Sequence, residues 1–189
     1  MHLLAHALCG AREEGLLVGQ VAGDFVRGRD LSAFPASIAR GIRQHRQLDS
    51  YSDQHPIAQC SRSRLHGEWR RYAGVLVDLA YGHALAANWR RHVGEPALNG
   101  FVERVHEVLA RHHHALPDRL KRAREPLRAN RVLSGIGDED GVAHACDRLA
   151  YRLPALRGAE AVVLREYDSL MADFDAFWPA LTAYNLELD

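Results

Sequence analysis

The residues best suited to chemistry in this 189-residue chain gather in one stretch. Residues 41–56, GIRQHRQLDSYSDQHP, hold His45 and His55, Asp49 and Asp53, and Arg43 and Arg46. His45 and Asp49 are four apart, which on a helix puts an imidazole and a carboxylate on one face, one turn from each other. Asp53 follows at the same spacing, about 40° further round. Such a His-Asp-Asp stripe can hold a divalent cation, because carboxylates suit Mg2+ and Mn2+ and Mn2+ also accepts imidazole. A solvated face of alternating charge would read the same way. The choice between the two depends on what the neighbouring elements bring to the stripe.

Several polar residues lie in apolar surroundings, all in the first half of the chain. They are His6 in LLAHAL, Asp24 in VAGDFV, Asp78 in VLVDLA and His83 in AYGHAL. A carboxylate taken from water without a partner is costly, so Asp24 and Asp78 need partners. One such acid alone reads as a core acid paired with Arg27 or Arg46; several on successive helices favour a shared cation. Asp78 and His83 are five apart, about 140° round an ideal helix, so only one of them faces a common point. The second half offers no comparable set: Glu103, Glu107, Asp138 and Asp140 read as polar faces and helix caps. No phosphate-binding GxxxxGK[ST] or GxGxxG, no GxSxG and no HExxH occurs. Cys9 lies near His6, but no third group completes a thiol nucleophile.

The elements that must position these residues read as helices throughout, nine in number. The first runs from about His2 to Cys9, the second from Arg12 to Val26, and the third from Pro35 to Ser52, carrying Ile38, Ile42, His45 and Asp49 on one face. The fourth is expected from Pro56 to Arg71 and the fifth, the most apolar, from Gly74 to His92. The sixth and seventh span 98–115 and 117–133, the eighth 138–151, and the last runs from Pro154 or Gly158 to Trp178. The expected architecture is a compact all-α, single-domain bundle of about eight to nine helices over residues 1–189. Apolar residues make up 47%, enough for a sizeable core. The 24 basic and 24 acidic residues cancel, which argues against nucleic acid or a membrane surface as a partner. Cys9, Cys60 and Cys146 are scattered and odd in number, which points to a reducing cytoplasm and not to a disulfide framework. The apolar run at the N-terminus is too short to span a membrane and lacks the basic region of a signal peptide.

Taken together, LLAH, GQVAGDFVRGR, GIRQHRQLDSYSDQHP, LVDLAYGHALAANW and the closing AFWPAL resemble the acyl carrier protein phosphodiesterase family, over most of the chain and in the same order. That family is similar to a distant, all-helical branch of the HD-domain metal phosphohydrolases, although no His-Asp doublet occurs here. The resemblance implies hydrolysis of the phosphodiester that joins 4'-phosphopantetheine to a serine of holo acyl carrier protein, with Mn2+, Mg2+ or another divalent ion. By position it singles out Asp24 as the essential acid, matches His45, Asp49, Asp53 and His55 to the central block, and matches Asp78 and His83 to the later one. Two departures stand out: His2 and Leu3 replace an Asn-(Phe/Tyr) start, and Gly82 replaces an acid often found before the histidine.

On this reading Asp24, His45, Asp49 and Asp78 are the candidate metal ligands. Asp24 also serves as a catalytic residue, with Asp53, His6 and His83 as orienting or acid–base groups. Arg27 and Arg46, with His55, would hold the phosphate through paired donors. Arg70 and Arg71, in a basic cluster with Arg62, Arg64, Arg90 and Arg91, would meet an acidic carrier protein, unless the cluster is a solvated face. Two other functions fit the same helices: a phosphohydrolase of nucleotides or other small phosphodiesters, and a non-catalytic helical binding protein, which Gly82 favours. Oligomeric state is not legible.

Overall fold

The computed structural model describes residues 1–188. Among them are eleven α-helices and no strand: α1 (Leu3–Cys9), α2 (Glu14–Ala22), α3 (Ala36–Gln54), α4 (Pro56–Arg64), α5 (Ala73–Ala87), α6 (Trp89–His92), α7 (Leu98–Arg111), α8 (Asp118–Ala129), α9 (Gly141–Arg152), α10 (Glu160–Arg165) and α11 (Tyr167–Glu187). The nine expected helices become eleven because two of them are divided. The fifth breaks at Asn88, whose side-chain amide donates to the Ala84 carbonyl at 3.2 Å and so competes with the helix ladder. The last breaks at Glu166 and then runs on through Pro179 to Glu187, past the expected end at Trp178.

The fourth helix also differs. It stops at Arg64, seven residues short of the expected Arg71. Leu65 turns inward and is fully buried, and Gly67 has φ +74°, a conformation glycine adopts without a steric penalty. A 3-10 turn over Gly67–Tyr72 follows, so Arg70 and Arg71 lie on that turn.

The most apolar helix, α5, lies at the centre. Leu76, Val77, Ala80, Tyr81, Ala84 and Leu85 are buried there, and α1, α4, α9 and α11 pack around it. α3 carries its own apolar stripe. Ile38, Ile42 and Leu48 are buried, each side chain contributing about 1.5–3 kcal/mol on transfer from water. Its main neighbour is α2, and the two helices cross at a pair of glycines. A Cβ on Gly19 would lie 2.3 Å from the Ile38 carbonyl oxygen, and one on Gly41 would lie 2.5 Å from that of Leu16. Only glycine allows this approach, and it brings the backbone of α2 within hydrogen-bond reach of the polar side of α3. No helix among the described residues is long and apolar enough to cross a membrane.

Candidate metal centre

α3 projects His45 and Asp49 from adjacent turns toward α1 and α2. The close crossing puts the Gln20 carbonyl 2.7 Å from His45 Nδ1, so that ring nitrogen carries a proton and donates it to the backbone. The ring fits because residue 23 is glycine: a Cβ there would lie 2.2 Å from His45 Cγ. Tautomer and orientation of His45 are thereby fixed, and Nε2 is turned toward Asp49 Oδ2 at 3.1 Å.

α1 supplies a second imidazole. His6 is fully buried, with Nδ1 3.0 Å from Gln20 Oε1 and Nε2 3.0 Å from Asp49 Oδ1. The two imidazoles stack with centroids 3.7 Å apart and planes inclined by 19°. One residue of α2 therefore orients both rings, through its carbonyl to His45 and through its amide to His6. Gln20 itself was not singled out from the sequence. Its signal there is a lone amide in the apolar run LLVGQVAG, and it is buried completely.

His6, His45 and Asp49 each turn one ligand atom inward, and these atoms all lie within 4.8 Å of one another. The donor set fits a divalent cation on two counts. The N···O separations of 3.0 and 3.1 Å are what two neighbouring ligands keep when bonds of about 2.1 Å meet near a right angle, roughly 3 Å. Protons are also short in supply. The two nitrogens of His6 face two oxygens, Gln20 Oε1 and Asp49 Oδ1, and the second of these already accepts from the Met1 ammonium. Burial lowers the pKa of His6, so near neutrality it carries only one proton. With that proton on Nδ1, the Nε2 lone pair faces Asp49 Oδ1, an approach that a cation between them would relieve.

The surrounding charges are strongly coupled. Burial would lower the pKa of His45, but hydrogen bonds with Asp24 and Asp49 raise it to about 9. Burial would raise that of Asp49, yet its contacts with His45 and His6 hold it far below the usual carboxylate range. Asp24 stands 3.5 Å from His45 Nε2, is about half exposed, and is likewise held low, mainly by His45 against the effect of desolvation. The Met1 ammonium lies 3.1 Å from both Asp49 Oδ1 and Asp78 Oδ2, linking α5 to the group. Burial nevertheless wins at Asp78, and its pKa is raised.

The sequence candidates thus separate. His45 and Asp49 meet, with Asp24 beside them, and Asp78 is joined to them through the Met1 ammonium. His6, expected to orient or exchange protons, faces Asp49 directly. His83 faces another way: its Nδ1 lies 2.8 Å from the Ile136 carbonyl and its Nε2 2.9 Å from the Tyr167 hydroxyl, tying α5 to the 135–137 turn and α11. Rotation about α5 separates it from Asp78, as five-residue spacing requires. Asp53 is exposed and paired with Arg62. His55 caps α4, accepting the Ile57 N–H at 3.3 Å, and packs on Phe177. Arg46 reaches the Val26 carbonyl at 3.4 Å, beside the Asp24 turn, and Arg27 is exposed on that loop. Arg70 and Arg71 are exposed, whereas Arg62, Arg64 and Arg91 of the same basic cluster are engaged by Asp53, Asp173 and Asp175.

The centre draws on α1, the end of α2, α3 and α5, and the likeness to known proteins spans all of them. The chain is 28% identical over 179 residues to an acyl carrier protein phosphodiesterase of Photorhabdus laumondii, covering 94% of this chain and 90% of that one. Proteins of the same name from Serratia proteamaculans and an Enterobacter species are 28% and 29% identical over 184 residues, covering 96% of this chain and 95% of each. No solved structure gives a significant match. The sequence profile of acyl carrier protein phosphodiesterase matches residues 1–181, which includes every residue of the centre, and the chain belongs to that family.

Proposed function

We propose that the chain is a divalent-metal-dependent phosphodiesterase, working as one domain in the cytoplasm. It would hydrolyse the link between 4'-phosphopantetheine and the serine of holo acyl carrier protein to give the apo protein. The observation that carries this reading is the His6–His45–Asp49 group, whose imidazoles are both oriented by Gln20. Family membership supplies the substrate class. His6 Nε2, His45 Nε2 and an oxygen of Asp49 would hold the ion, Mn2+ or Mg2+ before softer ions, with Asp24 and Asp78 completing the oxygen donors. The chemistry such an ion supplies when bound is a water of lowered pKa and neutralisation of charge on the phosphoryl oxygens.

The protein groups do the rest. Asp24, half exposed beside His45, would orient the attacking water and take its proton. Arg46, which reaches the Val26 carbonyl, and Arg27 on the same loop would grip the non-bridging oxygens. His83, engaged at both ring nitrogens, acts as a strut of α5.

The test is direct. The protein is incubated with holo acyl carrier protein and Mn2+, and loss of the prosthetic group is followed by mass. Wild type should convert the substrate, while Asp49→Asn and Asp24→Ala should not. No mass change with wild type would sink the reading, and an Asp24→Ala variant as active as wild type would sink the site assignment.

A further inference from the structure

His2 and Gly82, far apart in sequence, are in contact. Gly82 follows Asp78 by one turn of α5, so the two share a face. The imidazole of His2 lies against the bare backbone there: a Cβ on Gly82 would come within 2.4 Å of His2 Cγ and 2.8 Å of Cδ2 and Nδ1. A side chain at position 82 and the His2 ring cannot occupy this space together.

The ring is fixed at its other side as well. His2 caps α1, and its Nδ1 accepts the Leu4 N–H at 3.3 Å. The neutral ring therefore carries its proton on Nε2, which has no hydrogen-bond partner among the described residues. The preceding residue is tied to the centre by the Met1 ammonium, and the ring feels the charges of Met1, His6 and Asp24. Burial, then the Met1 ammonium, lower its pKa to about 4, so the ring is neutral near pH 7. The outcome is a partly buried, uncharged N–H donor within the electrostatic reach of Met1, His6 and Asp24.

We propose that His2 is a further substrate-binding residue, seated on Gly82, whose Nε2–H donates a hydrogen bond to a phosphoryl oxygen at the centre. The assignment of phosphoryl chemistry rests on the function proposed above; the seating of His2 on Gly82 does not. On this view glycine at position 82 makes room for an imidazole and is not simply a lost functional group.

Three measurements test it. The first is a stability cycle on positions 2 and 82. Gly82→Ala should lower Tm by about 5 °C or more with His2 present, because the ring is displaced. In a His2→Ala background the same change should be neutral or raise Tm, because alanine favours the helix. Additive Tm shifts would overturn the seating. The second uses His2→Asn, whose side-chain oxygen can still cap Leu4 but whose amide cannot reach as far as Nε2. Tm should hold, while kcat/KM on holo acyl carrier protein falls about 10- to 100-fold; wild-type kcat/KM would overturn the donor role. The third needs no turnover. Long-range 1H–15N spectra of the Mg2+-loaded protein should show His2 protonated at Nε2, with that signal moving as inorganic phosphate is added. Protonation at Nδ1, or no movement, would overturn the proposal. A wild type that moves this signal but leaves holo carrier protein intact would overturn the proposed function and keep the donor.

Discussion

Replacing Gln20 by leucine should separate folding from metal binding. Leucine is close in volume and adds no polar atom. In the native chain Gln20 Oε1 accepts from His6 Nδ1 at 3.0 Å, while its own Nε2 is buried without a partner. Gln20→Leu leaves the His6 N–H unpaired, a loss of about 1–3 kcal/mol. It also removes the unpaired amide N–H, a relief of similar size, about 1–3 kcal/mol. The two largely cancel, so the metal-free protein should change by no more than about 1.5 kcal/mol, or roughly 3–6 °C in Tm.

Metal affinity has no such compensation. His6 loses the oxygen that holds its proton on Nδ1 and leaves Nε2 free for an ion, while His45 keeps its acceptor, because that is the Gln20 backbone carbonyl. Loss of an orienting partner typically weakens binding about 10- to 100-fold, which is about 1.4–2.7 kcal/mol. Scanning calorimetry of the metal-free protein gives the first quantity, and Mn2+ titration at fixed pH gives the second. A Kd within twofold of wild type, at preserved Tm, would refute the idea that Gln20 prepares His6. A Tm collapse well beyond 6 °C would refute the cancellation.

Four other outcomes follow from the structure. His45 is raised from an ordinary value of about 6.5 to about 9. In the metal-free protein its contribution, roughly 3 kcal/mol at most, is therefore complete below pH 6.5 and lost as pH rises through 9; Tm should fall over that window. An incoming ion must displace that proton, so Mn2+ affinity should climb with pH until about 9, and calorimetry in buffers of different ionisation heat should show proton release near pH 7. His83→Phe should cost about 1–3 kcal/mol by leaving the Ile136 carbonyl and Tyr167 hydroxyl without their partner, with kcat unchanged; a kcat loss at preserved fold would return His83 to the catalytic set. Arg70→Glu with Arg71→Glu should raise KM for the carrier protein at low salt and leave kcat alone, since neither arginine makes an ion pair among the described residues; an unchanged KM would remove this face from docking.

The helical stripe of α3 was legible because its information is local: His45 and Asp49 are one turn apart and stay so in any helix. Asp24, expected inside the second helix, instead lies half exposed on the 3-10 turn that follows α2. Asp78 was legible as an acid in apolar surroundings, and the five-residue spacing showed that it diverges from His83. Which of the two faces the centre depends on the rotation of α5 against four neighbours, and no local pattern encodes that. His6 was seen, but its direct approach to Asp49 depends on how a seven-residue helix docks. The breaks at Asn88 and Glu166 were hidden because apolar periodicity runs across a single non-helical residue. Gln20 was missed for a related reason. Half of its work is done by a backbone carbonyl, which has no sequence signature, and the other half by an amide that reads as an ordinary polar residue.

The site is organised around Asp49 more than around either histidine. Each imidazole is held from behind by Gln20 and could keep its orientation if the other ring were lost. Asp49 alone has both oxygens engaged, Oδ1 by His6 and the Met1 ammonium and Oδ2 by His45, so it joins α1, α3 and, through Met1, Asp78 of α5. Its position follows from α3, whose buried Leu48 is its chain neighbour and whose crossing with α2 at Gly19 and Gly41 sets how far the helix can approach. The glycines that look like packing residues are therefore part of the site: they set the distance over which Gln20 can hold His45 and, with it, the geometry in which Asp49 meets two imidazoles at about 3 Å.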